Sequence, residues 1–192
     1  MCQVDANFSV YFGRNSLVPA DRKEFIMKIV VLAGGISTER DVSLVSGMGI
    51  YKALKSKGHQ VMLLDVFLGY EHDDWKNVFE KNVDWAASVG AIKDQNPDID
   101  AVKALRPDWK KNFFGPHVIE ICQHADVVFM ALHGENGENG KIQACFDLNG
   151  IRYTGTDYVS SAICMNKAIS KDLFVTGGVP TPVGIRLKKG QT

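Results

Sequence analysis

The sequence predicts an α/β protein, a parallel sheet flanked by helices. Three short runs, residues 29–33, 61–66 and 126–132, are apolar almost throughout, the pattern of strands buried on both faces. Helix-length stretches stand between or after them, so their connections are crossovers and not hairpins. Glycine-dense turns follow the first and third runs, at Gly34-Gly35 and across residues 133–140. That alternation of strand, turn and helix specifies the class.

Residues 1–26 show neither a helical period nor a strand alternation, and regularity begins at Met27. Met27 is expected to be the natural start and the leader an artefact, the alternative being a disordered extension. After the strand at 29–33, Thr38-x-x-Asp41 resembles a capping box opening a helix. Val42, Val45, Gly49 and Leu54 are its expected apolar stripe, and Gly58 closes it. Residues 61–66 return as the second strand, completing a βαβ unit. Residues 67–115 are irregular and are expected to be an insertion or mobile flap, with 74–81 as one candidate helix and 94–99 as loop. A helix at 117–124 leads into the third strand at 126–132. A helix at 141–148 ends at Gly150, and 151–154 reads as a short strand. Beyond residue 156, a helix is expected over 160–175. Residues 179–187, with Pro180 and Pro182, read as the way into an edge strand.

Charge excludes some partners. Lys plus Arg and Asp plus Glu number 22 each, so there is no basic excess for nucleic acid and no polybasic block for an acidic membrane. No apolar run approaches the roughly 18 residues of a membrane span. The four cysteines form no C-x-x-C pair, and Cys122, Cys145 and Cys164 sit in apolar stretches as reduced, buried thiols would. A cytoplasmic location follows as the expectation. P-loop, dinucleotide, nucleophile-elbow and zinc-spacing motifs are all missing.

Three stretches could carry chemistry. In the first, Gly34 to Ser43, Glu39 lies where strand one gives way to helix one, beyond the carboxyl end of the strand, where open α/β sheets bind ligands. A carboxylate there could hold a substrate ammonium group. Alternatively it only complements the helix dipole, with Arg40 and Asp41 solvated. In the second, Ala131 to Gly140, His133 stands at the end of the third strand and should face the same crevice, as a hydrogen-bonding group or as a loop-ordering one. Glu135 and Glu138 read as loop-ordering acids before a metal pair. In the third, Lys167 could neutralise a phosphate as a point charge, or be a surface lysine on an amphipathic helix.

Taken in order, GGISTERDVS (34–43), ALHGENGENG (131–140), GIRYTGTDYVSSAICMNK (150–167) and VPTP (179–182) resemble the amino-terminal portion of the D-alanine–D-alanine ligases of the ATP-grasp superfamily. The resemblance covers about residues 27–187, interrupted by 67–115. It implies a Rossmann-like, pre-ATP-grasp sheet over 27–155 and the opening of an ATP-grasp domain over 156–192. It also implies an enzyme using ATP and magnesium to join two D-alanines through an acyl phosphate, for peptidoglycan. Glu39 matches the family's glutamate at the first D-alanine, Val42 an apolar contact and His133 a histidine of that site, and Lys167 the first phosphate lysine. Asn166 stands where an aspartate is common. The family's metal ligands and most of its catalytic core match nothing here, so the chain alone is expected to be inactive. A homodimer through this domain is implied as well. The alternatives are a ligase with D-lactate as acceptor, and a non-catalytic binding or dimerisation module.

Overall fold

In the computed structural model, which describes residues 25–91, 96–187 and 190, β1 (Lys28–Ala33) is the middle strand of a parallel three-stranded sheet ordered β2-β1-β3. β2 is Gln60–Asp65 and β3 is Val127–Met130. Lys28 pairs with Gln60 and Ala33 with Asp65 on one side, while Ile29 pairs with Val127 and Leu32 with Met130 on the other. The strands fall within a few residues of those expected. Period two then divides β1 between two cores. Val30 and Leu32 join Met62, Leu64, Val128 and Phe146. Ile29, Val31 and Ala33 join Tyr51, Val61 and Leu63. Parallel pairing brings the carboxyl ends of β1 and β3 to one edge, so the two glycine-rich turns become neighbours. The leader expected over residues 1–26 lies, for 1–24, outside the described residues.

The first helix, α1 (Arg40–Ser56), corrects two expectations. Glu39 occupies the cap position without a side-chain cap bond, and the Glu39 amide instead donates to Ser37 Oγ at 3.2 Å, so the Thr38 capping box is not formed. The buried face is Arg40, Ser43, Gly47 and Tyr51, whereas Val42 and Gly49 of the expected stripe are exposed. Small residues explain the shift. A Cβ on Gly47 would come within 2.9 Å of both Ala33 Cβ and Leu63 Cδ1. The helix approaches the sheet through small residues, which a search for large apolar ones overlooks.

The described parts of residues 67–115 pack onto the core. Phe67, Val78, Phe79 and Ala86 are buried there. Only Trp75–Asn77 forms a 3₁₀ turn within the expected 74–81 helix. A helix not expected, α2 (Ile99–Ala104), is capped by Asp98, whose carboxylate accepts the Ala101 amide. Buried Arg106 donates to the carbonyls of Phe67 (2.6 Å), Asn112 (2.9 Å) and Phe113 (3.0 Å), closing the segment on itself. Its ends meet backbone to backbone. Tyr70 N donates to Pro116 O at 2.8 Å, and a Cβ on Gly115 would stand 2.5 Å from the Leu68 carbonyl carbon. Main chain yields less than side chain, so Gly115→Ala is expected to cost about 2–3 kcal/mol. Urea unfolding measures it, and a loss within about 0.5 kcal/mol would place the variant among neutral surface changes and contradict the contact.

The remaining elements are α3 (Val118–His124), α4 (Lys141–Leu148), α5 (Tyr158–Met165) and α6 (Lys167–Thr176). The expected strand at 151–154 is reduced to one bridge between Tyr153 and Val128. The single helix expected over 160–175 is two. Asn166 ends α5 in extended geometry (φ −95°, ψ 90°) and caps α6 by accepting the Ile169 amide at 3.1 Å. Asparagine competes well for such a role and poorly inside a helix. Residues 179–187 form no strand. Two prolines remove amide donors there. Cys122 is buried, which pushes its thiol well above the usual range, but Cys164 is exposed, against expectation. Among the described residues no helix is long and apolar enough to cross a membrane.

Candidate functional site

The turn after β1 is held by a buried cation. Arg40 is only 7% exposed, donates to Gly35 O at 2.6 Å, and forms an ion pair with Asp65, the last residue of β2. The other carboxylate oxygen of Asp65 accepts the amides of Phe67 (2.9 Å) and Leu68 (3.0 Å). A solvated Arg40, one of the two readings open from sequence, is therefore excluded. Both carboxylate oxygens of Asp65 and two nitrogens of Arg40 have partners, as a charge withdrawn from water requires.

Ser43 and Ser37 join this turn to the one after β3. Fully buried Ser43 accepts the Gly34 amide at 2.9 Å and donates to Ala131 O at 2.7 Å. Ser37 Oγ donates to His133 O at 2.8 Å. The Glu39 carboxylate then lies against Gly134, whose missing Cβ would stand 2.7 Å from Glu39 Oε2. Gly134 also has φ +74°, in the left-handed region, so both space and conformation call for glycine. The expected meeting of Glu39 and the His133 turn is thus present.

His133 is partly exposed between two elements. Its Nε2 lies 3.4 Å from Ser46 Oγ of α1, and its Nδ1 lies 3.9 Å from Glu138. The second oxygen of Glu138 accepts the Gly134 amide at 2.9 Å, so Glu138 orders its loop. Glu135 is mostly solvated and pairs with Lys141 at 3.3 Å. Among the described residues no group of three or more His, Cys, Asp or Glu side chains could hold a metal ion. Val42, 39% exposed, is one helical turn before Ser46, and so shares the face of α1 that meets His133. The result is an open edge with one imidazole, two carboxylates and an apolar rim.

Lys167 is elsewhere in the chain, at the first position of α6, and is exposed. It lines a shallow groove with Cys164, Ser170, Lys171, Phe174 and Thr181. The amide of Ile169 is occupied by the Asn166 cap. The groove places two lysines near the Phe174 ring, and Lys171 donates to the Pro182 carbonyl.

Comparison with known proteins decides the family. Residues 28–156 match the family model described as D-ala D-ala ligase N-terminus. The chain belongs to the D-alanine–D-alanine ligase family. The D-alanine–D-alanine ligase of Lacticaseibacillus casei (strain BL23) is 45% identical over 170 residues, 86% of this chain and 46% of the relative. That of Pediococcus pentosaceus is 45% identical over 161 residues, 81% of this chain and 44% of the relative. A solved D-alanine–D-alanine ligase from Bacillus anthracis, complexed with ATP, has a TM-score of 0.53 and 25% identity, over 86% of this chain and 42% of that one. The chain spans less than half the length of these relatives.

In this ligase-family chain the residues that hold the site together are ones to which the sequence assigns no such role: Arg40, Asp65, Ser43, Ser37 and Ser46. One signal was available for one of them. Ser43 and Gly47, small residues at i, i+4 spacing on a helix following a buried strand, mark a face that can approach a sheet closely.

Proposed function

We propose that these residues supply the amino-terminal side of the active site of an ATP-dependent D-alanine–D-alanine ligase serving peptidoglycan synthesis in the cytoplasm. The reaction is phosphoryl transfer to the carboxylate of one D-alanine, then displacement of phosphate by the amine of a second. The observation that carries this reading is the Glu39 carboxylate seated against the Gly134 turn beside His133. Two acids at one turn, Glu39 against Gly134 and Glu138 at 3.9 Å from the His133 imidazole, suit a cationic group such as a substrate ammonium. In this proposal Glu39 binds the first D-alanine, His133 offers it a hydrogen bond, and Val42 gives the methyl group an apolar rim.

Lys167 is proposed to neutralise nucleotide phosphate, with residues 156–192 opening the ATP-binding part. The ATP bound to the Bacillus anthracis relative supports this. Magnesium belongs to the proposal as the companion of ATP, with no residue here assigned to it. A homodimer built through residues 27–155 is part of the same reading. Catalysis by such a site is positioning plus charge neutralisation.

The test is titration of the full 192-residue chain with D-alanine, followed by NMR of the Gly134 and His133 signals, with L-alanine as control. Specific shifts with D-alanine are expected. Glu39→Gln removes the charge from one charge-assisted hydrogen bond and is expected to weaken binding by about tenfold or more. Equal binding of both enantiomers, or an unchanged Glu39→Gln, would refute the assignment.

A further inference from the structure

Gln143 lies on the first turn of α4 and is only 6% exposed. Its Nε2 donates to Gly137 O at 2.7 Å. Its Oε1 is buried with no partner, alone among the side-chain polar atoms of the described residues. An amide so placed is held by one end only. Rotating it would set the Oε1 acceptor against the Gly137 carbonyl, another acceptor, so the single bond also dictates which way the amide points.

Gly137 is the buried hinge of the turn that carries His133. A Cβ there would stand 2.5 Å from Leu132 Cβ, so the Gly137 α-carbon is packed against Leu132, two residues past the end of β3. Around it the turn closes on itself. Glu138 N donates to Gly134 O at 3.0 Å, and Gly134 N donates to Glu138 Oε2 at 2.9 Å. Left-handed residues sit at Gly134, Asn136 and Gly140. A loop so rich in glycine has much freedom to lose on ordering. Gln143 is the side chain of the following helix that reaches back into its buried centre.

We infer that Gln143 is a positioning residue, clamping the Gly137 carbonyl so that the turn presents His133 and Gly134 to the Glu39 carboxylate. It touches no proposed substrate and acts through the loop. The clamp itself rests on geometry alone, and only its consequence for D-alanine rests on the reading given above.

Hydrogen exchange of the Gly134 and Glu138 amides in the full chain tests the clamp. Gln143→Met keeps length and apolar bulk but cannot donate. It is expected to speed exchange of both amides at least tenfold relative to amides in the middle of α1. Gln143→Glu distinguishes the clamp from mere packing. A protonated carboxyl can donate to Gly137 O, whereas a carboxylate repels it. Slow exchange at acid pH, giving way to fast exchange as that carboxyl ionises, is the expected signature after correction for the intrinsic pH dependence seen in wild type. A thioether does not titrate, so Gln143→Met should show no such change. Unaltered exchange in Gln143→Met, or a Gln143→Glu variant without that transition, would overturn the inference. If exchange responds as expected while D-alanine moves no signal even in wild type, the clamp stands and the substrate reading fails.

Discussion

Arg40→Met is expected to lower the unfolding free energy by about 3 kcal/mol, the low end of what removing one partner of a buried ion pair costs. Met fills the space of the Arg stem, so the loss is electrostatic and not a cavity. The Arg40 side chain is 8% exposed and that of Asp65 14%, too little for water to replace the guanidinium. Asp65 keeps the Phe67 and Leu68 amides as donors, which is why the low end is expected. Removing both charges, in Arg40→Met with Asp65→Ala, strands neither, and should cost less than the sum of the two single variants. Urea unfolding followed by circular dichroism measures all three. A single-variant loss under about 1 kcal/mol would show the pair behaving as a surface salt bridge.

Ser43→Ala is the second large effect, expected at about 2–4 kcal/mol for one lost oxygen. The hydroxyl serves two main-chain groups, and the substitution leaves the Gly34 amide and the Ala131 carbonyl buried without it. Each unmet buried group carries its own desolvation penalty, and the two here add because the partners follow different strands. The functional consequence goes further than stability. Ser43 is where the Gly34 turn is tied to the end of β3, so its loss should loosen Glu39 relative to His133. The same urea series gives the stability, and amide shifts at Gly34 and Leu132 report the separation of the turns. A loss below about 0.5 kcal/mol, within the range of neutral substitutions, would mean that neither bond matters.

Much of the frame was legible. Strands at 29–33, 61–66 and 126–132 announce themselves because a strand buried on both faces has little polar residue content to interrupt it. The helix at 141–148 was also bounded correctly, between Gly140 and Gly150. Apolar period locates helix α1 but not its buried face, because Ser43 and Gly47 contribute proximity and not hydrophobicity. The apolar period runs through the break at Asn166, and only the cap bond to Ile169 shows the preference that prevails. In the described parts of residues 67–115, pattern reading finds little beyond the turn at Trp75–Asn77. Their order comes from aromatic residues and one buried arginine packed without period.

For the site, the amino-acid chain alone determined which residues stand at the strand ends, since turn glycines and the residues beside them are set by local chemistry. Glu39 and His133 were placed in the turns after β1 and β3 that way, while the family was legible from the order of the motifs around them. Folding alone decided what holds them. Arg40 meets a carboxylate 25 residues away, and Ser43 a carbonyl 88 residues away. Such partners are brought together by parallel strand pairing, and a contact between distant positions leaves no periodic trace in the string of residues that makes it.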